Sequence, residues 1–218
     1  MALDVVLRDN VTAAAIQVDV NSNGLITSSR PLGYDMQYTA SGITGTMAAA
    51  LAANSTVFIL YNAFNATRNI HITSFSVQFV TIAAFTAPVT AGRRLELYRG
   101  LYGTTAPTGG TAVLIAQKLS NGSVSKADPA NGGACQISST GTLTTTGLTF
   151  ETSSMGTMTL TSAGAAGAYR ERLFDWTGSN EQAIELLPGE SISIRNPIAM
   201  DAGGTWNIAI TVNWYEEI

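Results

Sequence analysis

At 218 residues and 45% hydrophobic the chain can bury a sizeable core, yet only 12% of it is charged, about half the ordinary share for a soluble domain. The net charge of −4 argues against nucleic acid as a partner, because counterion release needs grouped Lys and Arg side chains and the only local cluster is Arg93, Arg94 and Arg99. Cys135 is the single cysteine, which excludes an internal disulfide, and no stretch approaches the roughly 20 apolar residues of a transmembrane helix, so no membrane partner is expected.

The N-terminus MALDVVLRDN carries early acidic residues and no long apolar run, so a signal peptide is not expected. Residues 1–32 read as an extended arm, with short strands around Ile16–Val20 and, just beyond it, Met36–Ala40. An arm that stays ordered has something to lie on. Within it, DVNSNG (Asp19–Gly24) resembles the start of a calcium loop, but the twelfth position, where a bidentate Glu belongs, is Arg30. An Asn-rich turn is the better reading.

Residues 33–218 read as one domain. GITGTMAAALAA (Gly42–Ala53) is small and apolar, and its alanines favour a short helix over a strand. TVFILYN (Thr56–Asn62) is a continuous apolar run, the pattern of a strand covered on both faces. After a turn at NAFNATRN, Ile70 and Ile72 fall on one parity and Phe75, Val77 and Phe79 on the other. That phase slip near Thr73-Ser74 predicts a bulge or a bend between sheets. RRLELYR (Arg93–Arg99) alternates with Leu95 and Leu97 inward, which puts Arg94 and Arg99 on opposite faces and makes no groove.

From Gly100 to Ala168 Gly, Thr, Ser and Ala dominate, and long loops with short strands are expected. ERLFDW (Glu171–Trp176) returns to strand. Ile192 and Ile194 alternate with Ser191, Ser193 and Arg195. In the last strand Trp206, Ile208, Ile210, Val212 and Trp214 share one parity, a period of two held for about ten residues. Eight to ten short strands with Gly and Pro turns predict an all-β, antiparallel β-sandwich, with a jelly roll as first choice.

The residue types that carry chemistry are sparse. His71 is the single histidine and lies inside a strand, where a structural role is expected. There is no Gly-x-Ser-x-Gly elbow and no phosphate loop ending in Lys. Cys135, in a Gly-rich stretch expected to be loop, reads as an inert small residue. The carboxylate pairs Glu181/Glu185 and Glu216/Glu217, the latter at an expected exposed terminus, are tied to no cleft. No catalytic, cofactor-binding or metal-binding residue is assigned, no cofactor is expected, and an enzyme is not expected. Lys118 and Lys126 are the two lysines against nine arginines. Interface cores favour that bias, though genomic bias produces it too.

Several stretches resemble a family of tailed-bacteriophage virion proteins. They are Gly33–Tyr38 (GYDMQY), Ser41–Leu60, Phe85-Thr86-Ala87 before an arginine-bearing strand, Gly109-Gly110-Thr111, Ile137–Leu143 (ISSTGTL) and the closing Pro188–Glu216. The resemblance covers about residues 33–218 and rests on turns and core positions. It implies a structural protein of the virion, foremost a capsid decoration or cement protein. Such a protein is made in the bacterial host cytoplasm and ends on the capsid surface. The implied partners are the major capsid protein and further copies of the chain, as a homo-oligomer (trimer or dimer). The alternative is a tail, neck or fibre component, with host-glycan binding as one role. The interface residues expected in the arm are Val5, Val6, Leu7, Ile16 and Val18, joined by exposed loop residues between Gly100 and Ala168.

Overall fold

The computed structural model describes residues 17–19, 24–26, 36–47, 49–85, 93–118, 123–160, 167–175 and 183–216, with backbone alone for 17–19, 24–26, 160 and 167–175. A short hairpin comes first: β1 (Gln17–Asp19) pairs with β2 (Gly24–Ile26) and with neither larger sheet. Four longer strands follow, β3 (Gln37–Ile43), β4 (Ser55–Tyr61), β5 (Ile70–Ala83) and β6 (Arg93–Leu101). Short strands come next: β7 (Thr111–Ala112), β8 (Ile115–Gln117), β9 (Ala134–Ile137), β10 (Thr149–Phe150) and β11 (Gly156–Leu160). The chain closes with β12 (Gly167–Asp175), β13 (Ile184–Leu186), β14 (Ser191–Asn196) and β15 (Thr205–Glu216).

These strands build two antiparallel sheets packed as a sandwich. The first runs β12-β5-β15-β3-β8, with β13 also on β5; the second runs β10-β6-β14-β4-β9-β7, with β11 also on β6. One contiguous core fills the space between them, and Phe58 of β4 meets Phe75 of β5 edge to face at 5.5 Å. Strict alternation on β15 sends Trp206, Ile208, Ile210, Val212 and Trp214 into that core. Large rings on the inward parity are the main source of burial for such a layer.

The slip read at Thr73-Ser74 is a bulge within one strand. Asn213 pairs with Ser74 and Trp214 with Ile72, so Thr73 is the extra residue, and Ile70, Ile72, Phe75, Val77 and Phe79 all reach the core. β4 has a similar device. Ile194 pairs with Phe58 and Arg195 with Thr56, so Val57 is skipped, and both Val57 and Phe58 join the core. The other face of β4 is covered as well. The Tyr61 hydroxyl donates to the Gly103 carbonyl at 2.6 Å, and Leu143 N–H bonds to Thr56 O at 2.8 Å, which lays the 101–110 and 138–148 connections over that sheet. Covering on both faces is why β4 reads as an unbroken apolar run.

Three expectations need correction. The described residues of Gly42–Ala53 are not helical: the first ones end β3, and Thr44 N–H and Met47 N–H bond to the Ile208 and Trp206 carbonyls of β15. Alanine propensity loses to an available strand partner. Cys135 lies in β9, fully buried, and not in a loop. Strands outnumber the eight to ten expected, because the Gly100–Ala168 stretch supplies several two- and three-residue edge strands. The one helical turn among the described residues is a 3-10 turn at Pro129–Asn131, capped by the Asp128 side chain on Ala130 N–H.

Candidate functional site

At one end of the sandwich three connections are tied into a single base. Asn62 N–H bonds to Glu190 O at 2.9 Å, Gly189 N–H to Asn62 O at 3.1 Å and Gly103 N–H to Gly189 O at 2.8 Å. Gly189 has φ +84°, and a Cβ there would stand 3.0 Å from the Gly103 carbonyl oxygen, so the approach of the two turns requires glycine. The buried Asn62 side chain donates to the Arg68 and Leu186 carbonyls, both at 3.0 Å. Arg99 pairs with Glu190, whose carboxylate also accepts from Leu187 N–H at 2.8 Å. In or beside these connections Tyr102 (64%), Leu187 (46%) and Leu101 (38%) are exposed, and Phe64 packs edge-on to Tyr102 at 5.3 Å. A backbone already fixed by these bonds removes loop ordering from the cost of a contact made here.

A second polar assembly lies at the end of β15. Glu216 is fully buried, contrary to the exposed terminus expected for it. Its Oε1 accepts from Ser125 Oγ at 2.6 Å and Lys126 N–H at 2.8 Å, with Trp214 Nε1 at 3.4 Å. Arg68 approaches its Oε2 at 3.8 Å and donates to Ser123 Oγ, and the Tyr38 hydroxyl, stacked by its ring on Trp214, donates to Ser123 O at 3.1 Å. Burial pushes the Glu216 carboxyl above the ordinary glutamate range; the bonds from Ser125, Lys126 and Trp214 and the charge of Arg68 pull against it. Burial first, and Glu216 second, push the Tyr38 hydroxyl up to about 12. With no exposure to a substrate, this network works as a latch that fastens the segment before β9 to the last strand. One signal in the sequence pointed to it: Glu216 continues the parity of Trp206 to Trp214.

The remaining sequence-selected residues do not converge. His71 faces away from Glu216, its ring stacked on Tyr215 at 4.7 Å. Glu185 accepts from Asn69 on the surface at 2.7 Å, while Glu181 and Glu217 lie outside the described residues. Burial pushes the Cys135 thiol up to about 12. Thiol reagents act on thiolate, so Cys135 is expected to stay unlabelled by iodoacetamide in the native protein and to react once urea unfolds it; native labelling would contradict this burial. Arg93, 3% exposed, reaches Asp201 at 3.3 Å and lies 4.0 Å over the Phe85 ring, and Arg94 pairs with Glu96 at 3.4 Å. Of the expected arm residues, Val18 lies in β1 opposite Leu25, and Val5, Val6, Leu7 and Ile16 lie outside the described residues.

Among the described residues no three His, Cys, Asp or Glu side chains group as metal ligands would, and no helix is long and apolar enough to cross a membrane. Comparison with protein-family models, with curated proteins and with solved structures gives no match.

Proposed function

We propose that the chain is a bacteriophage structural protein, a capsid decoration or cement protein that binds the outside of the shell and joins neighbouring major capsid subunits. The observation that carries this reading is the exposure of the large apolar groups Tyr102, Leu101 and Leu187 beside turns tied together by backbone hydrogen bonds. The strand order supports it. Numbering β3, β4, β5, β6, β11, β12, β14 and β15 from one to eight, the sheets run 1-8-3-6 and 2-7-4-5. We read that order as jelly-roll winding, an architecture used for virion building blocks. The stretches resembling tailed-phage virion proteins point the same way. The protein would be made in the host cytoplasm and reside on the capsid surface as a dimer or trimer, since closed symmetric assembly suits repeated shell sites. Its action is burial of apolar area across subunit seams, at about 25 cal/mol per Å² over interfaces on the order of 1,600 Å².

Two experiments test the reading. The double variant Tyr102→Ser/Leu187→Ser is expected to melt like wild type and to bind purified shells at least thirtyfold more weakly, the effect of losing about 2 kcal/mol of central contact. Unchanged shell binding by the folded variant would remove the platform from the interface. Deleting residues 1–32 is expected to leave the sandwich folded and to release it from shells; full occupancy by the truncated protein would end the arm's part in attachment.

A further inference from the structure

The outer face of the second sheet carries an arginine with no carboxylate partner among the described residues. Arg195 lies on β14, on the parity opposite to Ile192 and Ile194, so its side chain leaves the core. Its guanidinium sits 4.2 Å over the Phe150 ring and 5.6 Å from the Tyr98 ring. One nitrogen donates to the Asn54 carbonyl at 2.8 Å, and Nε is buried without a hydrogen-bond acceptor, as are those of Arg94 and Arg99. Arg68, Arg93, Arg94 and Arg99 each have a carboxylate within 4 Å. Arg195 alone, of the arginines whose side chains are described, has none. The nearest candidate is Glu96, directly opposite on β6, and it is already engaged by Arg94 and by the Tyr98 hydroxyl. This face therefore holds two guanidinium groups against one carboxylate. Partial burial disfavours the charged form of Arg195 and lowers its pKa. A partly desolvated cation binds an incoming anion more strongly than a hydrated one does.

We propose that Arg195 is one half of an intermolecular ion pair, completed by an Asp or Glu side chain of a protein partner that lies against the Phe150 ring. A carboxylate fits the planar donor edge of the guanidinium, and the short aliphatic stem behind it fits the aromatic wall. A protein side chain fits better than an acidic sugar. The polar side chains beside Arg195, Glu96 and Tyr98, are bonded to each other. Phe150 also borders the exposed Leu101, so an acidic residue here would sit next to the contact platform. The inference concerns what Arg195 takes and stands apart from whether that partner is a capsid subunit.

The test is a titration of the ¹⁵N-labelled protein, followed at the Phe150 and Ser193 backbone amides. The probes are N-acetylglutamate N-methylamide, the matching glutamine derivative, glucuronate and sodium chloride at equal ionic strength. The glutamate derivative is expected to give saturable shifts at both amides, and the glutamine derivative and chloride none. The saturable shifts are expected to vanish in Arg195→Gln and to weaken in Arg195→Lys, which keeps the charge and loses the fork. Each variant is first checked for a cooperative melt. Equal shifts with chloride would reduce the site to unspecific charge. Tighter saturation by glucuronate than by the glutamate derivative would reassign it to a sugar acid. Absence of shifts in a folded wild-type protein would leave Arg195 as a clamp on the Asn54 carbonyl and overturn the proposal.

Discussion

Trp206→Ala is expected to destabilise the sandwich by about 3–5 kcal/mol, the cost of emptying a fully buried large aromatic site. The indole is completely buried and stacks on Phe79 at 5.1 Å, and Phe79 in turn stacks on Phe85 at 6.4 Å. The backbone of Trp206 also accepts from Met47 N–H at 2.7 Å, so the ring stands where β15, β5 and the segment after β3 meet. Two sheets held by one core cannot collapse onto such a void without moving their strand ladders. The loss corresponds to a fall in Tm of about 6–20 °C for a chain of this size. Trp206→Phe keeps a ring on Phe79 and removes an indole N–H that has no acceptor, so it is expected to cost far less. Chemical denaturation of the three proteins measures both values. An alanine variant within about 1 kcal/mol of wild type would mean that Trp206 does not hold the sheets together.

Glu216→Ala is expected to cost about 2–4 kcal/mol, because it strands the Ser125 hydroxyl and the Lys126 N–H, donors that now point at its carboxylate. Glu216→Gln retains the accepting oxygen and removes the charge, and it separates the hydrogen bonds from the ionisation. The folded-state pKa of Glu216 lies above the ordinary glutamate value. The native state therefore holds this proton at pH values where the unfolded chain has lost it. The contribution of the group is fully present below the unfolded pKa and declines as pH rises through the folded one. Stability of the glutamine variant relative to wild type should accordingly rise from pH 4 toward pH 7. A relative stability that falls over that interval would mean the carboxylate is favoured as the anion, with Arg68 outweighing burial.

How far this molecule could be read from its residues depended on how local the cause was. β15 and β4 were legible because burial on one or both faces writes directly into parity and run length. The bulge at Thr73 was legible as a change of phase. The segment after Ile43 was not, because its partner is a strand more than 150 residues away. Helix propensity is local and says nothing about the β15 carbonyls left open beyond the end of β3. β9 was missed for a related reason: four residues in a Gly-rich stretch are too few to show a period, and the strand forms by pairing with the distant β4. The contact platform was half visible. Leu101 and Tyr102 fall in the loop region singled out for contact, but their support comes from Asn62 and Gly189, far apart in the chain and joined by backbone bonds that leave no side-chain pattern. Glu216 was the one site residue with an available signal, its parity, which was outweighed by its nearness to the terminus.

The central claim is that this β-sandwich acts by shape and contact on the surface of a virion shell. The most direct measurement is cryo-electron microscopy of purified particles carrying the tagged protein, compared with particles lacking it. The account predicts difference density at equivalent positions over the whole outer surface of the shell, with the end bearing Tyr102 and Leu187 turned toward the capsid. Density confined to the tail or neck, or particles identical with and without the protein, would contradict it.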